Sequence, residues 1–334
     1  MIALREEFPV GGIAGLALGL GPVMRPVLLL LALVGAACSP GGDPGGQPTP
    51  TSDASALVAQ VASYDLAVGS NRLIVGLLTQ DNEFVSGGEA TMRLSFLGGG
   101  DASDAGSQVP ATFLAIPGEE PGHAHPQAGS VEEGRGVYAG EVELDRAGPW
   151  QVDVIVDLEG ETQVGTAAFQ VAEEHAVPAV GDEAIPVDNL TIEDHGDADL
   201  AAVDSRGQEG GEIPDPELHD ATIAETLKAG RPFVAVFSTP VFCVSQFCGP
   251  ITDMIAGLER EYGDRAELIH VEVWRDFQNQ VINEAAADWL LRRGDMQEPW
   301  VFFVDGDGVI RGRWDNVATP GEIEPFLRDL PPAA

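Results

Sequence analysis

The sequence predicts an all-β sandwich followed by an α/β domain, and three observations predict it. Short alternating apolar segments recur at residues 73–78, at Met92, Leu94 and Phe96, at Tyr138, Val142 and Leu144, at Val152, Val154 and Val156, and at 167–171. Gly87-Gly88, the glycines of 98–100 and Gly148-Pro149 separate them, the pattern of short strands with one buried face. After residue 221 the period changes, and helix-spaced apolar positions alternate with continuous apolar runs. Between the two lies the acidic stretch 173–217, whose only Lys or Arg is Arg206; it reads as an extended connector, with 185–190 laid against one of the domains.

Acidic residues outnumber basic ones 54 to 17 in the 334-residue chain, for a net charge of −37. That charge repels nucleic acid and anionic lipid surfaces, so nucleic acid is excluded as a partner. The length suffices for two domains with separate cores.

Residues 1–38 read as an export signal. Met24 and Arg25 precede an apolar run, 27–34, and Gly35, Ala36 and Ala37 lead to Cys38. The run is too short to cross a bilayer as a helix. Glu6 and Glu7 do not suit a basic leader, so Met24 is a candidate start. The segment resembles a bacterial lipobox with Cys38 as the lipidated residue, although Gly35 stands where a branched apolar residue is usual. A plain signal peptide or an uncleaved anchor is the other reading. Residues 39–58, rich in Gly, Pro, Ser, Thr and Asp, form a flexible tether, and 59–172 the sandwich. Within it the stretch 136–156, GVYAGEVELDRAGPWQVDVIV, is similar to immunoglobulin-like domains of exported bacterial proteins. His123 and His125 can present two imidazoles to copper or zinc, but two ligands make an incomplete site, and the loop's composition is that of a solvated tip.

In the last part, 218–331, residues 221–229 read as a helix, 232–237 as a central strand, 251–262 as a helix and 268–273 as a strand. Residues 277–293 read as a helix ended by Gly294, and 300–304 with 309–314 as a hairpin about Asp305-Gly306-Asp307-Gly308. Thr319-Pro320 opens a final helix with Ile323, Phe326, Leu327 and Leu330 inward.

The stretch 237–250, FSTPVFCVSQFCGP, holds the two cysteines able to pair within the folded chain. Ile251, Met254, Ile255, Leu258 and Tyr262 share one helical face, and Pro250 suits a first turn. Cys248 therefore sits at a helix N-terminus, where peptide dipoles and free N–H groups favour the thiolate. Cys243, five residues upstream, would be too distant for a disulfide if both lay on one helix. It belongs to the preceding loop, where bridging is feasible. If Cys38 takes lipid, the other two of the three cysteines form one pair, which fits an oxidising compartment.

Phe247, Cys248, Gly249 and Pro250 resemble the first four residues of the WCGPC motif of the thioredoxin superfamily, and the βαβαββα order is similar to that fold. The resemblance implies an α/β thioredoxin-like domain with a mixed central sheet flanked by helices. It implies Cys248 as nucleophile, with Phe247, Gly249 and Pro250 helping to position substrate. The family's second cysteine falls on Ile251, which leaves Cys243 as partner. Glu298-Pro299 matches the family's cis-proline site, so Pro299 is expected against the cysteine pair. Glu298 replaces a usually neutral residue, and a carboxylate there would raise the Cys248 pKa. The family's buried acid falls on about Val236. The C-x4-C spacing also resembles one class of peroxiredoxins, with Cys243 in the peroxidatic place, but their threonine is Pro240 here.

The expected function is that of a membrane-tethered, extracytoplasmic thiol–disulfide oxidoreductase that needs no cofactor and acts on protein thiols or disulfides. Cys248 attacks, Cys243 resolves and Pro299 with Glu298 positions the partner. The alternatives are a binding module in which the pair is a staple, worth about 2 kcal/mol by chain entropy, and a copper-handling protein using both thiolates with or without His270. His270 lies within the 268–273 strand pattern and reads first as a packed residue. Cys38→Ser is expected to release the protein from membranes, since lipid would be its only anchor; recovery as an integral protein on fractionation would contradict the lipid anchor.

Overall fold

The computed structural model describes residues 57–99, 107–116, 135–158, 160–243, 247–291 and 296–332. Seven strands come first: β1 (Leu57–Val61), β2 (Gly69–Leu78), β3 (Glu89–Phe96), β4 (Gln108–Ala115), β5 (Gly136–Leu144), β6 (Gly148–Leu158) and β7 (Glu161–Val171). They close into a barrel in the order β1-β2-β5-β4-β3-β6-β7. Alternate side chains fill its interior, among them Leu73, Val75 and Leu77, Met92 and Leu94, Tyr138, and Val152, Val154 and Val156, as the period of two requires.

Closure depends on β1, which pairs antiparallel with β2 and parallel with the middle of β7 (Leu57 opposite Gly165). A Cβ at Gly165 would lie 2.7 Å from Leu77 Cδ2 and 3.2 Å from Ala59 Cβ, so a glycine is what lets the strands approach there. The expected open sandwich is thus corrected to a barrel. β1 and β4, neither of which the alternation revealed, are the strands that complete the ring. β4 carries Pro110 and buries only Ala111 fully, and β1 overlaps the end of the expected tether, so neither shows a clear apolar period.

The chain then runs through the short 3-10 helices Leu200–Ala202, Ser205–Gly210 and Pro216–His219 to α1 (Ile223–Ala229), β8 (Phe233–Ser238), α2 (Cys248–Tyr262) and β9 (Glu267–Glu272). After these come β10 (Trp274–Asp276), β11 (Val281–Ile282), α3 (Glu284–Leu290), β12 (Trp300–Val304), β13 (Ile310–Asp315) and α4 (Pro320–Arg328). A four-stranded sheet has the order β13-β12-β8-β9, with β8 parallel to β9 and antiparallel to β12. All six β8 residues are buried. Phe233, Ala235 and Phe237 face one core with Trp289 and Phe302, while Val234 and Val236 face another with Ile251, Ile255 and Ile323.

One further expectation changes. Residues 277–293 are not one helix: Gln280 takes a left-handed φ of 56°, and Asp276 accepts from Asn279 N at 3.0 Å. This turn joins β10 to β11 before α3 begins. The acidic stretch lies along the sheet, since Val177, Ala184 and Val187 enter the Trp289 core while Asp182, Glu183 and Asp188 stay exposed. Trp289 Nε1 donates to Ile185 O at 3.0 Å.

All described residues fall within one compact unit, Ser52–Ala334. The expected fold class is corrected accordingly. The described chain is mostly β, a closed seven-stranded barrel joined to a four-stranded sheet, with four α-helices. It is not an immunoglobulin-like sandwich followed by an α/β thioredoxin-like domain.

Barrel and sheet meet through Arg72 of β2, whose Nε donates to Glu322 Oε1 at 2.8 Å and whose Nη2 donates to Val317 O at 2.9 Å. Its Nη1 lies 3.8 Å from Asp315 Oδ1, and its side chain is 10% exposed. Removing a partly buried cation leaves its carboxylates uncompensated. Arg72→Leu should therefore cost about 3 kcal/mol in denaturant unfolding; a loss below about 1 kcal/mol would class the contact with exposed pairs.

Candidate functional site

β8 ends at Ser238, and the chain turns through residues 239–243 toward α2. Cys243 N donates to Thr239 O at 3.1 Å, and Cys243 is joined to Cys248 by a disulfide with the Cα atoms 6.1 Å apart, within the usual range. Cys248 is the first residue of α2. Thr252 Oγ1 donates to Cys248 O at 2.8 Å. That spends its one proton, so Ser238 Oγ is the donor in its 2.7 Å contact with Thr252 Oγ1. The last residue of β8 thereby fixes the first turn of α2.

Cys248 has no exposed surface, whereas Cys243 is half-buried. In the disulfide form an incoming sulfur therefore meets Cys243 before Cys248. Phe247 precedes the helix without a side-chain cap and packs into the core with Ile251. Pro250 lies half-buried in the first turn. A Cβ on Gly249 would lie 3.5 Å from Pro240 O, an ordinary contact, so sterics do not demand glycine there. Pro299 is buried and its peptide bond with Glu298 is cis. Cys38, His123 and His125 lie outside the described residues.

The side chain of Glu298 reaches the bridge, with a carboxylate oxygen and both Sγ atoms all within 4.8 Å of one another. Its Oε2 is buried and without a hydrogen-bond partner. Burial pushes this carboxyl up, against hydrogen bonding from Thr239 and Trp274 and the charge of His270. The barrel supports this segment: Tyr64 OH donates to Glu298 O at 3.0 Å, and the Tyr64 ring meets Trp300 edge-on at 6.0 Å.

Beneath the bridge lies a buried polar network. Thr239 Oγ1 donates to Glu272 Oε1 at 2.6 Å and Ser205 N donates to Glu272 Oε2 at 2.8 Å. Ser205 Oγ accepts from Val241 N at 3.1 Å. Its neighbour Asp204, fully buried, accepts from Arg206 Nη2 at 2.6 Å and His219 Nε2 at 3.2 Å. His270 Nδ1 stands 3.4 Å from the same oxygen, and His270 Nε2 donates to Ser238 O at 3.0 Å. Burial opposes the Asp204 charge, but these donors and cations hold its carboxyl far below the usual range. Burial holds His219 down, whereas for His270 the Asp204 contact outweighs burial and raises it.

Two groups of described residues bring three ligand-type atoms together: Asp204 with His219 and His270, and the cysteine pair with Glu298. In the first, the carboxylate is already taken by Arg206; in the second, the sulfurs are bonded to each other. No metal is assigned to either.

Against known proteins, the chain matches no family model, no curated protein and no solved structure. The resemblance to a thioredoxin-fold lipoprotein with a leading immunoglobulin-like sandwich is thus corrected, having neither relatives nor fold class behind it. The physical reason is that four residues, FCGP, specify a loop-to-helix junction and not the fold around it. What survives is local: a disulfide at a helix N-terminus.

Sequence reasoning missed Thr239, Glu272, Asp204 and Tyr64. The signal available was Glu272 itself, a lone acid closing the apolar run 268–273. Burial pushes its carboxyl up to about 7, against the charge of His270 and donors from Thr239 and Ser205. The ordinary value is 4.5, so the folded state holds a proton that the unfolded chain releases. Its contribution is full below pH 4.5 and is lost as pH rises through 7. Over that window the wild type should lose about 3 kcal/mol more than Glu272→Gln in denaturant unfolding; parallel stability–pH curves would contradict the assignment.

Proposed function

We propose that this protein is a thiol–disulfide oxidoreductase working through the Cys243–Cys248 pair, held outside the cytoplasm by lipid on Cys38 and exchanging with protein thiols or disulfides. One observation carries the reading: the bridge joins a half-buried cysteine in a loop to a buried cysteine at a helix N-terminus, beside a carboxyl group. Pairs that exchange need one reachable sulfur and one good leaving group. Cys243 supplies the first. Cys248, the first residue of α2, supplies the second, because helix N-termini lower thiol pKa values.

From the disulfide form, a partner thiolate attacks Cys243 Sγ, the Cys243–Cys248 bond breaks, and Cys248 leaves with the electron pair. A second partner thiolate then attacks the partner sulfur of the mixed disulfide and frees Cys243. Two electrons pass to this protein, its two thiolates take up protons released when the partner thiols ionised, and the partner gains a disulfide; the reverse sequence reduces a partner. The Glu298 carboxylate lies beside both sulfurs, and the Glu298-Pro299 peptide bond that follows it is cis. Phe242, the residue before Cys243, lines an open cleft of about 560 Å³ with Phe277; the two rings stack at 4.4 Å.

Trapping tests the proposal. Reduced Cys248→Ser, incubated with a small disulfide, is expected to accumulate a stable mixed disulfide on Cys243, because no internal thiol can resolve it. Cys243→Ser should react at least about tenfold more slowly, its remaining thiol being buried. If the native bridge neither opens with dithiothreitol nor yields an adduct in either variant, it is a structural staple and the proposal fails.

A further inference from the structure

We infer that Glu298 is the acid–base residue of the cysteine pair, giving its proton to Cys248 when the bridge opens and taking it back when the bridge closes. The inference rests on the oxidoreductase reading and adds the group that moves the proton. A thiolate formed at a site without solvent access needs a proton donor inside the protein, since Cys248 has no exposed surface. Among the described residues the Glu298 carboxylate is the acid grouped with both sulfurs within 4.8 Å, and its Oε2 is buried with no hydrogen-bond partner. An unpartnered buried oxygen costs stability, and it is free to bond a neighbouring thiol.

The groups facing Glu298 set its behaviour. Burial raises its carboxyl, and hydrogen bonding from Thr239 in the loop after β8 and from Trp274 of β10, with the charge of His270 of β9, lowers it. Glu272 stands behind Thr239, whose hydroxyl it accepts. Tyr64 OH donates to the Glu298 carbonyl. Burial therefore outweighs its partners and raises the carboxyl above its ordinary value in the disulfide form.

In the opening step the partner thiolate forms a bond to Cys243 Sγ as the Cys243–Cys248 bond breaks. The electron pair goes to Cys248 Sγ, and the Glu298 proton moves to that sulfur, leaving a carboxylate. In closing, the carboxylate takes the Cys248 proton as its sulfur attacks Cys243 and the partner thiolate departs. No further reactant is required.

The test is the rate of bridge reduction by dithiothreitol in the full chain from about pH 5 to pH 8, corrected for reductant thiolate, in the wild type, Glu298→Gln and Glu298→Asp. The wild type is expected to show a limb that falls as one group loses its proton. Glu298→Gln should lack that limb and react about 100-fold more slowly where the acid is protonated, and Glu298→Asp should keep it at a shifted pH. Wild-type reduction with superimposable profiles in both variants overturns the inference and leaves the oxidoreductase reading standing. A wild-type bridge that resists reduction at every pH overturns both. If Glu298→Gln does not fold, Glu298→Asp decides alone: a shifted limb supports the role, and an unmoved limb removes it.

Discussion

A carboxylate removed from water must be matched by charge and hydrogen bonds, and Asp204 meets that demand in a way that organises the site. Its carboxylate, without exposed surface, draws in Arg206, His219 and His270, which come from the acidic stretch, the last 3-10 turn and β9. Arg206 extends the tie to Asp215 and to Asp253 on α2. Leaving the Asp204 carboxylate or the Arg206 guanidinium unpaired inside would cost several kcal/mol, so the strands and turns they join are fixed together. Ser205, one residue on, holds both Glu272 and Val241 N. The loop carrying Cys243 is therefore anchored by the neighbour of the buried acid, and the reachable sulfur inherits its position from an ion cluster beneath it.

The two faces of β8 explain how this polar floor coexists with a dry core. Odd residues pack toward Trp289 and even residues toward α2, so apolar contacts hold the strand on both sides and polarity begins only at Ser238. The barrel completes the far wall. Tyr64 N donates to Asp315 Oδ2, and Asn316 Nδ2 donates to Ala62 O at 3.1 Å. Tyr64 OH also donates to Glu298 O, so the β1–β2 connection reaches the segment that carries Glu298 and Pro299. The barrel is part of the site's support, which a reading of it as a separate leading domain could not show.

Legibility followed locality. The helix-spaced face of Ile251, Ile255 and Leu258 and the position of Pro250 put Cys248 at the start of α2 from sequence alone, and the apolar run of β8 was visible for the same reason. β1 and β4 were not, because their burial depends on strands distant in sequence and their own alternation is weak. Asp204 was invisible for a different reason: within an acidic stretch nothing distinguishes the one carboxylate that finds two imidazoles and a guanidinium from those that face water. The relative burial of the two cysteines is likewise tertiary, since the loop of Cys243 lies outward only because Thr239 and Val241 are held from below. The fold class misread the chain where a short motif was extended to a whole architecture.

The central claim is that the Cys243–Cys248 bridge is poised for exchange, and its equilibrium reduction potential tests this most directly. Helix-terminal stabilisation of Cys248 favours the reduced form and moves the potential upward. Measured against a thiol redox buffer in the full chain, the potential is predicted to lie above about −300 mV. A value below about −300 mV, the range of inert structural bridges, would contradict it.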